Sequence, residues 1–148
     1  MKLIATIVIL CLATVSSFSQ QLQINIKEGS DKPNTESEHL YLLEIKNDSK
    51  ATANFTIKTT NVNCNEIDSE RQTVLNHKAL SKTSKREQSS YSLQPEAALE
   101  FYVKTMRPIN TKLNTWNCTQ VQAVNSNGRP ISNTITIKSL IPDPKDQH

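Results

Sequence analysis

The chain has 148 residues, 36% hydrophobic and 21% charged, with a formal net charge of +3. That length suits one domain, and no separate catalytic domain is expected beside it. The small positive balance is spread along the chain, which excludes the basic footprint of a nucleic-acid binder.

The N-terminus carries one charge, Lys2. Leu3 to Val15 is then apolar apart from Thr6 and Thr14, and Ser17 and Ser19 precede Gln20. One positive charge, a short apolar run and small residues two apart read as a secretory signal peptide over residues 1–19, cleaved near Ser19 and Gln20. The apolar run is shorter than the roughly 20 residues a membrane span needs, and no later segment approaches that. The expected product is a secreted or periplasmic chain of residues 20–148 with no membrane span. Of the three cysteines, Cys11 leaves with the signal. Cys64 and Cys118 remain and allow one pairing, so a disulfide is expected between them.

Leu22, Ile24 and Ile26 alternate with polar residues, the period of a half-buried strand. Residues 29–38 are polar, contain Pro33 and read as a connector. In His39 to Lys46, Tyr41, Leu43 and Ile45 share one face. Asn47-Asp48-Ser49-Lys50 is a turn by composition. Ala53, Phe55 and Ile57 alternate again, which completes a hairpin.

Residues 59–90 read as a long, partly mobile insertion. Gln72 to Asn76 suggests a short edge strand. Val74 to Ser84 is the best helical candidate, with too few apolar residues to hold a helix. Ser81 to Ser90 lacks a large apolar residue and reads as an exposed loop.

Tyr91 to Leu93 is a short strand before the Pro95 turn. Leu99, Phe101 and Val103 alternate until Arg107-Pro108 stops the strand. Trp116 to Val124 follows, with Thr119, Val121 and Ala123 on one face and Cys118, Gln120 and Gln122 on the other. Asn125-Ser126-Asn127-Gly128 is the strongest turn signal. Ile135 and Ile137 mark the last strand, and residues 142–148 read as a frayed tail. Only two glycines serve these turns, and 14 Asn residues are expected to take part of that role. About seven short strands without a convincing helix predict an all-β immunoglobulin-like antiparallel sandwich in one domain.

Three segments resemble the Ig-like or fibronectin type III-like β-sandwich modules of secreted bacterial proteins. They are Tyr41 to Ser49 leading to Ala53-Asn54-Phe55-Thr56-Ile57, Ser92-Leu93-Gln94-Pro95-Glu96 with Leu99, Phe101 and Val103, and Val121-Gln122-Ala123 before the Ile135–Ile137 strand. Glu96 stands where these modules usually carry Gly. The resemblance implies a sandwich that binds or spaces other domains, and it implies no catalytic residues.

Chemistry-bearing patterns are sparse. His39, His77 and His148 are scattered without zinc-binding spacing, so no metal is expected. There is no nucleophile elbow and no phosphate-cradling glycine loop. No cofactor is expected, and the chain reads as a non-enzyme. Lys82, Lys85 and Arg86 form a small basic cluster suited to an acidic partner. Trp116 reads either as packing beside Cys118 or as an exposed aromatic platform for sugar or peptide, with Tyr102 as a second aromatic. The sequence thus points to an exported non-catalytic binding or structural module, envelope- or adhesion-related, with a protein or carbohydrate partner. The alternative is an inhibitor-like protein that inserts its 65–90 loop into an enzyme.

Overall fold

The computed structural model describes residues 21–146. The expected signal segment 1–19, with Cys11, and His148 lie outside the described residues. Eight strands form: β1 (Leu22–Ser30), β2 (Glu38–Asn47), β3 (Ala53–Val62), β4 (Asn76–Ser81), β5 (Ser90–Leu93), β6 (Ala98–Met106), β7 (Thr115–Val124) and β8 (Ile135–Ile141). Single 3-10 turns occur at Ser69–Arg71 and Pro144–Asp146.

Sheet A has the order β1-β2-β6-β4 and sheet B the order β5-β3-β7-β8, and every strand pair is antiparallel. β1-β2-β6-β4 facing β3-β7-β8 reproduces the A-B-E-D and C-F-G order of the immunoglobulin sandwich, with β5 added at the edge of β3. The chain is an Ig-like all-β sandwich.

Period-2 alternation explains the packing, because it sends one face of each strand inward. Leu43 and Ile45 on β2 lie opposite Phe101 and Leu99 on β6, and Ile57 on β3 lies opposite Ala123 on β7. These side chains, with Ile24, Val103, Val121 and Ile137, form one core between the sheets, with Leu99 half-buried at its margin. The Tyr41 hydroxyl crosses that core to Ser139 Oγ at 3.0 Å.

The segment 59–90 departs most from the sequence expectation. β3 continues to Val62, and the edge strand lies at 76–81 rather than 72–76. The helical candidate 74–84 is therefore largely a strand. Its inward residue Ala79 enters the core, and pairing with β6 outweighs weak local preference.

Past Ser81 the chain turns back on itself. Ser81 N–H donates to Arg86 O at 2.9 Å and Gln88 N–H to Ala79 O at 3.0 Å, so residues 86–88 line the outer edge of β4. Ile57 N–H then donates to Ser89 O at 2.7 Å, and β5 continues along β3. One run of backbone begins in sheet A and ends in sheet B.

The Cys64–Cys118 disulfide is formed, with Cα atoms 5.3 Å apart. Cys118 lies opposite Val62, so the bond ties neighbouring strands of one sheet rather than bridging the two sheets. Gln72 holds the intervening loop: its Oε1 accepts from Cys64 N–H at 2.8 Å and its Nε2 donates to Ile67 O at 2.6 Å.

Candidate functional site

The outward face of sheet A collects three of the side chains singled out in the sequence. Glu28, Leu42, Tyr102 and Leu80 form one cross-strand row over β1, β2, β6 and β4. Tyr102 alternates with Phe101 and Val103, which are fully buried, so it points away from the core. Leu42 and Leu80 share that outward face, yet only 5% and 8% of their surface is exposed.

The hairpin formed by the end of β4 and residues 82–88 lies over this row. Lys85 has a left-handed backbone (φ 56°) and sets its Nζ 3.6 Å from the centroid of the Tyr102 ring. That is a cation–π contact. Lys82 pairs with Glu100, two residues before Tyr102 on β6. The Lys82 ammonium holds the Glu100 carboxyl below the usual carboxylate range, and Glu100 in turn raises Lys82. Lys104 pairs with Glu38 at 2.9 Å beside a cavity of about 380 Å³ that Leu40, Leu80, Lys32 and Lys85 help to line. Among the described residues neither Lys32 nor Lys85 forms an ion pair. Arg86 is exposed and joins the hairpin through its carbonyl.

Trp116 is not part of this group. It sits on β7 with the parity of Cys118, on the outward face of sheet B, and Lys138 Nζ lies 4.8 Å from its ring centroid. Trp116 and Tyr102 therefore point out of opposite sides of the sandwich and form no joint platform. Parity assigns a face within a sheet, but not which sheet a strand joins.

A polar layer lies between the sheets at the disulfide end. Thr119 Oγ1 donates its one proton to Asn117 Oδ1 at 2.8 Å, so His77 Nε2, 2.6 Å from Thr119 Oγ1, is the donor to that hydroxyl. Asn117 Nδ2 donates to Asn61 Oδ1 at 2.6 Å and to Thr73 O at 2.9 Å. Burial pushes the His77 imidazole below its ordinary value, against the opposing effect of its hydrogen bonding. These groups are mutually bonded and face the interior, which suits structural bonding.

A second concavity, of about 690 Å³, opens where β5 and the 82–88 hairpin meet. Ser90, Ser92, Tyr91, Leu99, Glu100 and Thr83 contribute to its wall. Sequence reasoning missed this cleft and the outward-facing Leu42 and Leu80. The signal for the leucines was present, because Leu42 breaks the polar alternation of β2.

No family model matches the chain, and no curated protein matches it in sequence. Among solved structures, a FixG-related protein from Vibrio parahaemolyticus superposes with a TM-score of 0.52 at 12% identity, over 83% of this chain and 97% of that one. PapD-like domain 7 of human CEP192 gives 0.43 at 8% identity, over 95% and 99%. The PCuAC domain of PmoF2 gives 0.44 at 11%, over 84% and 91%. The first likeness is one of fold and agrees with the two-sheet architecture. No helix among the described residues is long and apolar enough to cross a membrane.

Proposed function

We propose that residues 1–19 export this chain and that residues 20–148 act outside the cytoplasm as a single non-catalytic binding module. Its partner contact is the outward face of sheet A, centred on Tyr102 with Lys82 and Lys85. The observation that carries this reading is the Lys85–Tyr102 contact over the leucine row. An aromatic side chain among apolar neighbours, rimmed by charge, has the make-up of an interface centre. The Cys64–Cys118 bond fits an oxidising compartment.

Use of 65–90 as an inhibitor's insertion loop has less support. β4 fills an edge of sheet A, and the hairpin lies down against Tyr102 and Glu100. Insertion into an enzyme would require those contacts to break.

The test takes the protein from its native cells. N-terminal sequencing is expected to start near Gln20, and a photocrosslinker at position 85 is expected to capture one partner that Tyr102→Ala no longer captures. Retention of Met1 in a cytoplasmic fraction, or capture unchanged by Tyr102→Ala, would overturn the reading.

A further inference from the structure

The cleft beside β5 has the geometry of a strand position left vacant. β4 ends at Ser81, opposite Phe101, whereas β6 begins three residues earlier at Ala98. The hairpin turns away there, because Lys85 N–H bonds Ser81 O at 2.9 Å. The wall of sheet A thus recedes, and the edge of β5 faces open space apart from the exposed Gln88 side chain, whose Nε2 donates to Ser90 O at 3.4 Å.

Backbone parity decides which groups of β5 look outward. Ile57 N–H donates to Ser89 O, so residues 89, 91 and 93 bond toward β3. In an antiparallel ladder the alternate residues turn the other way. The N–H and C=O of Ser90 and Ser92 therefore point away from β3, and both residues line the cleft.

The other three edges are less suited. β1 is capped at its start: Leu22 N–H bonds Ile131 O, and Asn133 bonds both the N–H and the C=O of Ile24 at 2.7 and 2.9 Å. Beyond Ile26 its register is broken by irregularities. β4 has its own residues 86–88 along it. β8 is regular, but none of its residues lines the cavities beside β5 or over sheet A.

We infer that the β5 cleft binds an extended, uncharged peptide segment of another protein, which adds as a strand to β5 through Ser90 and Ser92. Strand addition draws affinity from main-chain hydrogen bonds and selectivity from pockets for alternate side chains. Inward side chains of the peptide meet Tyr91 and Leu99, which pack against the core, and so should be apolar. Outward ones lie beside Ser90, Ser92 and Asn54 and so should be small and polar. The two charges in the cleft, Lys82 and Glu100, neutralise each other, which favours a partner without net charge. A glycan would use the same hydroxyls and amides, but it lacks the two-residue repeat of donors and acceptors that Ser90 and Ser92 present.

This inference rests on the reading of the chain as a binding module but centres on β5 rather than on Tyr102, the two regions meeting at Lys82, so Lys138→Ala, on β8 and outside both cavities, serves as its internal control. The probe is a fully randomised heptapeptide library displayed on phage and selected on residues 20–148. Enriched sequences are then made as free, end-blocked peptides. Enrichment of alternating apolar and small polar sequences is expected, with at least a tenfold affinity loss on Ser92→Pro or on N-methylation of alternate peptide amides. Proline is tolerated at an edge position whose N–H faces outward. Thr83→Trp, which narrows the cleft from the exposed hairpin, should give the same loss if Ser92→Pro fails to fold. Lys138→Ala should bind these peptides unchanged. No enrichment, peptides indifferent to these changes, or oligosaccharides competing for the cleft in place of peptide would overturn the inference. Each of those results leaves the sheet A reading standing.

Discussion

Asn47 Nδ2 donates to the carbonyl oxygen of Leu93 at 3.0 Å, joining the end of β2 to the end of β5 across 46 positions of sequence. The same amide reaches Ala51 O at 2.8 Å, and Asn47 Oδ1 accepts from Ser49 N–H at 3.0 Å. Asn47 has no exposed surface. One side chain therefore holds both the β2–β3 turn and the β5–β6 turn. Asn47→Ala leaves buried backbone groups without partners, each costing about 1–3 kcal/mol, and a total loss of about 3 kcal/mol is expected. Asn47→Asp should be worse, since it sets a carboxylate against carbonyl oxygens. Urea unfolding midpoints at constant slope check both.

The disulfide closes a loop with a sequence separation of 54. Chain entropy assigns such a loop about 4 kcal/mol. The double variant Cys64→Ser, Cys118→Ser is expected to unfold at correspondingly lower denaturant. Amide exchange in its 63–75 segment should rise, since that loop loses one anchor and keeps Gln72. Unchanged stability after reduction would contradict this.

His77 predicts a pH dependence with a definite sign. Burial lowers its folded-state pKa from the ordinary 6.5. Between that lowered value and 6.5 the unfolded chain binds more protons than the native state, so stability rises with pH there. Stability from this group is complete above about 6.5 and is lost as pH falls through the lowered value. Denaturant titrations at pH 7.5 and pH 5 should show the loss, to roughly the extent that linkage allows. His77→Gln should remove that part of the slope.

Glu96 has a left-handed backbone, φ 58°, at the turn before β6. Left-handed backbone costs a residue with a side chain roughly 1–2 kcal/mol, and glycine escapes that cost while losing more entropy on folding. Glu96→Gly is expected to stabilise by about 1 kcal/mol, raising the melting temperature by about 3–5 °C. Glu96→Val should lower it. Thermal melts of the three proteins decide.

The legible parts of the fold are those where large apolar residues alternate. Leu43 and Ile45, Phe101 and Val103, and Val121 and Ala123 announce the core of both sheets, and each lies there. β4 is less legible because its inward residues are His77 and Ala79, too polar and too small to mark a face. The expectation that Asn would replace Gly in turns holds at Asn110 and Asn114, which have positive φ. Glu66, Lys85 and Glu96 share that geometry without any compositional signal. In the candidate site, Lys82 and Lys85 are legible in sequence as a charge cluster. Their meeting with Tyr102 depends on how the hairpin folds over β6, and the cleft depends on where β4 stops, which no local pattern encodes.

The backbone crossing at 86–93 also has a mechanical consequence. Stacked sheets joined only by side-chain packing can slide over one another. Here a slip must break the Gln88–Ala79 and Ser89–Ile57 bonds together, because the same short run is bonded to both layers. Sideways load on the domain then falls on several hydrogen bonds in parallel instead of one at a time. Under tension the domain should behave as a stiff spacer, yielding in one abrupt step.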